Sequence, residues 1–331
     1  MLADMEDALY RETLQEYDEL PPVSITALPR AGTTTVLQLL WHTGAFASHL
    51  YRDVPLVLTP MFWQQFRERF AVEPIAQERP HGDGITIDAE SPEAFEEMVW
   101  KAFWPHHYRG SHIEPWRAHE RADSFDAFFR RHRRKIIRLR EAEYGGTRRY
   151  LAKNNGHIAR LAHPPQVLRE GTIVIMIREP LAHAASLLEQ HRHLSALQET
   201  NPFLRTYMAG VAHHDFGQTL KPINVAGWLN DERDKPDSLT FWLRYWVAAY
   251  RTVLSALPDN ALICSYERLY REPERTLARL EESLELERDT LKGQASLLHE
   301  PREHSINEDV LPDELLGDAS ALHEELLRRA L

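Results

Sequence analysis

The chain has 331 residues, 43% hydrophobic and 27% charged, proportions of a globular protein large enough to bury a sizeable core. A formal charge of −11 argues against nucleic acid or an anionic membrane surface as partner, because both reward a basic face. The single cysteine, Cys264, excludes an intrachain disulfide, no apolar run approaches the roughly 18 residues that span a bilayer, and the acidic start Met1-Leu2-Ala3-Asp4-Met5-Glu6-Asp7 is unlike a signal peptide. A reducing cytoplasm is therefore the expected location. Eighteen histidines are dispersed without a His-Glu-x-x-His or Cys-x-x-Cys arrangement, so no metal is expected.

In chain order, residues 1–20 read as an amphipathic helix (Leu9, Tyr10, Leu14, Tyr17) closed by Pro21-Pro22. A short apolar strand with Val23 and Ile25 follows, then a turn over Leu28-Pro29-Arg30-Ala31-Gly32, then an apolar helix with Val36, Leu37, Leu39 and Leu40. Strand, tight turn and helix N-terminus make an anion cradle, since unsatisfied N–H groups and the positive end of the helix dipole converge there. Arg30 adds a charge-assisted donor, and Thr33, Thr34 and Thr35 put hydroxyls on the first helical turn. Gly32 stands alone with no lysine after it, which disfavours a nucleoside-triphosphatase or kinase loop.

Further on, residues 51–63 read as a polar-to-aromatic connection forming the wall beside the cradle, followed by a helix to about Phe70. His81-Gly82-Asp83-Gly84 reads as a turn, Ile85 to Ile87 as a short strand, and Ser91-Pro92-Glu93 as a helix start. From Asp123 to about Arg140 the spacing predicts a helix whose basic run Arg130, Arg131, Arg133, Arg134 and Lys135 reads as a solvated face. Arg149 to Ala152 reads as a strand delivering Lys153-Asn154-Asn155 at its carboxyl end, before a helix through Ile158 and Leu161. The β-branched run from Thr172 to Ile177 is how a strand buried on both faces reads, ending at Arg178, with Pro180 opening a helix that carries Ser186 off its apolar stripe.

Between about Leu194 and Pro236 the pattern is irregular, which suggests an excursion over the sheet edge or the active site. A long aromatic helix from Leu239 to Leu257, a last strand from Ala261 to Tyr266, a helix from Glu272 to Leu284 and a polar tail from His299 to Asp309, expected as a lid, complete the chain. Alternating strands and helices predict an α/β fold: a three-layer P-loop arrangement with a central parallel sheet flanked by helices, plus helical excursions. One domain over 1–331 is expected, with a core at about 21–290, an N-terminal helix at 1–20 and a cap or tail at 291–331.

Leu28-Pro29-Arg30-Ala31-Gly32-Thr33-Thr34-Thr35 resembles the 5′-phosphosulfate loop of the sulfotransferases, with Ala31 where that family usually has serine. Three more stretches resemble the family's pattern. Arg178 and Ser186 look like its 3′-phosphate pair, Ser265-Tyr266-Glu267-Arg268-Leu269 like the segment after its last core strand, and Lys153-Asn154-Asn155 like its Lys-Thr-His segment. Residues 51–55 and 79–85 are similar to stretches of a bacterial branch.

The resemblance implies a sulfotransferase that uses 3′-phosphoadenosine-5′-phosphosulfate (PAPS) and leaves 3′,5′-phosphoadenosine (PAP). The acceptor would be a hydroxyl or amine of a small molecule or carbohydrate. On it, Arg30, Ala31, Gly32, Thr33, Thr34, Thr35, Arg178, Ser186 and Tyr266 bind the cofactor, and Arg30 and Lys153 act on the transferring sulfonate. Asn155 stands where the family's basic histidine would be, so another base is needed. His81 is the first candidate, with Asp83 and Glu90 behind it, and the alternative for His81 and Asp83 is a turn that bonds its own backbone. The tryptophans Trp63, Trp100 and Trp104, with Tyr108, are candidates for acceptor contact or for core packing. Arg302 is a candidate lid residue. The alternatives are a catalytically degenerate PAP- or PAPS-binding protein and, further off, a P-loop kinase.

Overall fold

Among the described residues seven strands form in chain order: β1 (Val23–Thr26), β2 (Phe46–Ala47), β3 (Gln77–Glu78), β4 (Thr86–Ile87), β5 (Arg149–Lys153), β6 (Thr172–Ile177) and β7 (Ala261–Ser265). Five make one wholly parallel sheet in the order β2-β5-β1-β6-β7, and β3 pairs with β4 antiparallel, outside it. This computed structural model describes residues 1–15, 19–69, 77–78, 86–120, 122–298, 306 and 308–331.

Period-two alternation sends successive residues of β6 to opposite faces. Ile173, Ile175 and Ile177 join the core on one side, with helices Pro180–Thr200, Leu239–Ser255 and Asp313–Arg329. Val174 and Met176 join the other side, with helices Thr33–Trp41 and Pro273–Ser283. Both faces are covered, which is why this strand is apolar throughout. Strand order reverses at β1: the chain leaves it toward β2 and β5 on one flank and returns to β6 and β7 on the other. At such a switch the carboxyl ends of the strands open a crevice.

Several expectations are corrected. Residues 1–20 do not make one helix: Leu2–Leu9 and Arg11–Gln15 are separate, and Leu9 is exposed while Glu6 is buried. The basic run is no solvated face. On the helix Asp123–Tyr144, Arg133 and Lys135 are buried, Arg133 pairing with Glu170 at 2.6 Å and Lys135 with Glu6 at 2.8 Å and with Asp7. Acidic partners from the N-terminal helix supply what sequence spacing within the helix could not reveal. Glu6 in turn accepts a 2.7 Å hydrogen bond from the Phe62 amide, tying down the helix Pro60–Glu68.

The helix expected at Pro92 begins only at Glu96, because Leu50 and Pro92 form a β-bridge and the Glu93 amide donates to His49 O at 3.0 Å. Regular helix also continues through Thr200 and over Pro202–Gly210, so the irregular part of the 194–236 stretch starts later than expected. The helix Asp313–Arg329 was not foreseen; its chain carries on so that Leu331 donates its amide to Ile263 O at 2.8 Å. Most of the expected lid, with Arg302, lies outside the described residues. No described helix is long and apolar enough to cross a membrane.

Lys135→Ala should destabilise the fold by about 3–5 kcal/mol, because it leaves the buried Glu6 carboxylate uncompensated, and Lys135→Met with Glu6→Leu should cost less. Urea unfolding of both variants measures the difference.

Candidate active site

The crevice at the strand ends is a cleft of about 210 Å³. The turn after β1, the segments that follow β5, β6 and β7, and the segment after Pro202–Gly210 line it. After β1 the chain turns through Arg30 (φ 72°) and Gly32 (φ 85°), both left-handed, before entering the helix Thr33–Trp41. The first N–H groups of that helix have no intrahelical acceptor, and Thr33, Thr34 and Thr35 line the cleft. A Cβ on Gly32 would lie 2.5 Å from a ring carbon of Tyr266, so glycine is required both by φ and by the aromatic ring laid against it. Ala31 is fully buried beneath the turn.

The turn is braced from β6. Arg178 donates from Nη1 to the Arg30 carbonyl at 2.9 Å, with its guanidinium carbon 4.9 Å from the centre of the Tyr266 ring. His183 contacts the Pro29 carbonyl through Nε2 at 2.7 Å. Burial, and then the charge of Arg178, push its pKa down to about 3, so at neutral pH the imidazole is uncharged and Nε2–H is the donor. Ser186 accepts a long 3.4 Å contact from Arg30 Nε. Arg30, Arg178, Ser186 and Tyr266, far apart in sequence, therefore meet at one end of the cleft.

At the other end of the cradle, β5 delivers Lys153, whose Nζ donates to Thr34 Oγ1 at 3.0 Å and lies 3.6 Å from Glu93 Oε1. The loop after it is held from below. Asn154 donates to Glu96 at 3.2 Å and caps Gly156 N at 2.9 Å, starting a 3-10 turn over Asn155–Ala159 where a longer helix was expected. Burial pushes the Glu96 carboxyl up, but His157 at 3.0 Å, Trp100 at 2.8 Å and Asn154 outweigh it and hold the group well below the usual carboxylate range. The neighbouring Glu97 is likewise held ionised against its burial by Arg160 at 3.0 Å and Tyr108 at 2.6 Å.

The far wall comes from the segment after Pro202–Gly210, where Ala212, His213, Asp215 and Phe216 line the cleft. Asn155 Nδ2 donates to Asp215 Oδ2 at 3.2 Å. Burial raises the Asp215 carboxyl above the ordinary aspartate value, and the nearby His213, Asn155 and Lys153 only partly offset it. Sequence reasoning passed over Asp215 and Glu93. The triplet His213-His214-Asp215, dense in titratable groups and lying between Gly210 and Gly217, was the available signal.

The remaining candidates divide plainly. His81 and Asp83 lie outside the described residues. Glu90 pairs with Arg52 and accepts from Tyr144 at 2.6 Å, and it does not line the cleft. Trp63, Trp100, Trp104 and Tyr108 do not line it either: Trp100, Trp104 and Tyr108 sit in the hydrophobic core, and Trp63 donates to Arg52 O at 2.6 Å.

Gly32→Ala should cost about 1–3 kcal/mol through its left-handed backbone and the clash with Tyr266. Because the two residues touch, Gly32→Ala with Tyr266→Ala should lose measurably less than the sum of the single changes, a coupling that denaturant unfolding of the four-member cycle reads directly.

The sulfotransferase domain profile matches residues 20–306. No curated protein matches the chain. Among solved structures it is similar to sulfotransferase STF9 from Mycobacterium avium, at 15% identity and a TM-score of 0.51 over 98% of this chain and 80% of that one. It is also similar to sulfotransferase STF1 from Mycobacterium tuberculosis H37Rv, at 15% identity and a TM-score of 0.49 over 99% and 80%. With a family match across most of its length and the parallel sheet expected from it, this chain belongs to the sulfotransferase domain family.

Proposed function

We propose that the chain, as one domain over residues 1–331, transfers a sulfonate group from PAPS to a hydroxyl or amine of a small-molecule or carbohydrate acceptor. The observation that carries this reading is the meeting of Arg30, Lys153, Arg178, Ser186 and Tyr266 around one helix N-terminus at the switch of the sheet. In a protein of charge −11, this concentrates cationic groups where an anion must sit. The donor brings an activated sulfonate; the chain has to hold it, neutralise charge and remove a proton.

Arg178 and Ser186 take the 3′-phosphate end, with the Tyr266 ring as a flat wall beside it. The cradle N–H groups, Arg30, Thr33, Thr34 and Thr35 take the 5′ end. Lys153 follows the bridging oxygen as it gains negative charge, a role that makes it matter more in the transition state than in the ground state. The acceptor enters from the side of Glu93, Asp215 and Phe216. Its proton goes to Asp215, whose raised carboxyl pKa brings it closer to working pH than an ordinary aspartate and whose orientation is set by Asn155. His81 is the rival for this step, and Asp83 stands behind it.

Two variants separate holding from turnover. Arg178→Ala should weaken PAP binding about tenfold or more, as loss of a buried charge-assisted contact does. Lys153→Ala should lower kcat with a modest change in PAP affinity. Calorimetry and steady-state kinetics on the same preparations check both, and equal falls in binding and turnover for Lys153→Ala would make it a binding residue. A chain that binds PAP yet forms no sulfated product with any acceptor in a broad screen would be a degenerate binder.

For the proton acceptor, Asp215→Asn should cut kcat about 10²-fold or more while PAP affinity stays intact. Asp215 must be ionised to act, so kcat of the unmodified protein should fall as pH drops through its raised pKa, and the asparagine variant should lack that limb. If Asp215→Asn keeps near-normal turnover and His81→Ala loses it, the base is His81.

A further inference from the structure

Away from the cleft, the segment joining the helix Glu96–Phe103 to the helix Asp123–Tyr144 brings His106, His107 and Glu120 together. One ligating atom from each lies within 4.8 Å of the others, an arrangement that no other trio of described histidine, cysteine or carboxylate side chains shows. Glu120 Oε1 is 3.4 Å from His107 Nε2 and 3.6 Å from His106 Nε2. Donors at ~2.0 Å from a tetrahedral zinc ion are about 3.3 Å apart, so these spacings nearly match an occupied site.

The second observation is His107 itself. It is 2% exposed, its ring stacks on Trp116 at 3.8 Å with an interplanar angle of 1°, and its Nδ1 lies 2.8 Å from the Glu114 carbonyl. Only an Nδ1–H can make that contact, so the neutral ring carries its lone pair on Nε2. That atom is buried and has no hydrogen-bond partner. It faces the Glu120 carboxylate oxygen at 3.4 Å, a contact that either a proton on Nε2 or a cation bound to both atoms satisfies. A histidine whose outer nitrogen is fixed by a backbone carbonyl while the inner one points at a carboxylate is arranged as metal-ligating histidines are.

We propose that His106, His107 and Glu120 bind a divalent transition cation of the zinc type, with a fourth position open to water. The set of two imidazoles and one carboxylate suits zinc over magnesium or calcium, which prefer all-oxygen ligands. None of the three lines the cleft. The ion is a clip: it holds residues 104–120 closed on themselves, and the strand bridge of Ile113 to Ile223 carries that order to the cleft wall.

The test uses the full chain and zinc alone, in competition with a chromophoric chelator, together with cobalt for its visible absorption. One saturable equivalent should bind, raise the unfolding temperature and, as cobalt, give the absorption of a four- or five-coordinate site. His106→Ala, at an exposed position, and Glu120→Gln, which keeps an oxygen for the Arg117 amide at 2.7 Å, should each fold normally and weaken zinc by about tenfold or more. Zinc binding unchanged in both variants would put the ion on other histidines and overturn the assignment, as would the absence of any saturable equivalent in the unmodified chain.

Discussion

The anion cradle depends on one contact, the Tyr266 ring against Gly32. It joins the end of β7 to the turn after β1 across the end of β6, and Arg178, leaving β6, lies between them with its guanidinium near the ring and its Nη1 on the Arg30 carbonyl. Three strand ends are thereby locked to one another. The lock supports a turn that would otherwise be unfavourable, because a non-glycine residue at φ 72° costs about 1–2 kcal/mol. Arg178 and the neutral His183 hold adjacent carbonyls of that turn, so its shape is fixed before any anion arrives. Preformed donors need no reorganisation during transfer.

The same logic runs through the buried charges. Helix Glu96–Phe103 presents Glu96 and Glu97 inward, and each is matched from the loop after β5 by His157 and Arg160. That network fixes Asn154, which leaves Lys153 aimed at Thr34 and Asn155 at Asp215. Lys153 beside the cradle and Asp215 in the far segment thus line one cleft, each held through the Lys153-Asn154-Asn155 stretch.

What the sequence made legible was what local chemistry dictates. The apolar run at β6, the strand-turn-helix at Arg30 to Thr35 and the strand ends at Lys153, Arg178 and Tyr266 are short-range patterns, and those strand ends and the turn line the crevice. What was hidden is long-range pairing. Lys135 reads as solvated because Glu6 and Asp7, its partners, lie more than a hundred residues away. Glu93 reads as the first turn of a helix because the bridge of Leu50 to Pro92 cannot be seen from either segment alone. Asp215 sits in a stretch without periodicity, where no rule says which side chain turns inward. The tryptophans looked like ligand contacts or core with equal reason, and burial settled Trp100 and Trp104 as core.

The proposed reaction requires the crevice to bind a nucleotide carrying a 3′-phosphate. Calorimetric titration of the unmodified chain with PAP, 5′-AMP and magnesium ATP tests it most directly. PAP should bind at least about tenfold tighter than 5′-AMP, since Arg178 and Ser186 would contact only the former's 3′-phosphate, and tighter than magnesium ATP. Equal affinity for PAP and 5′-AMP, or a preference for magnesium ATP, would contradict it.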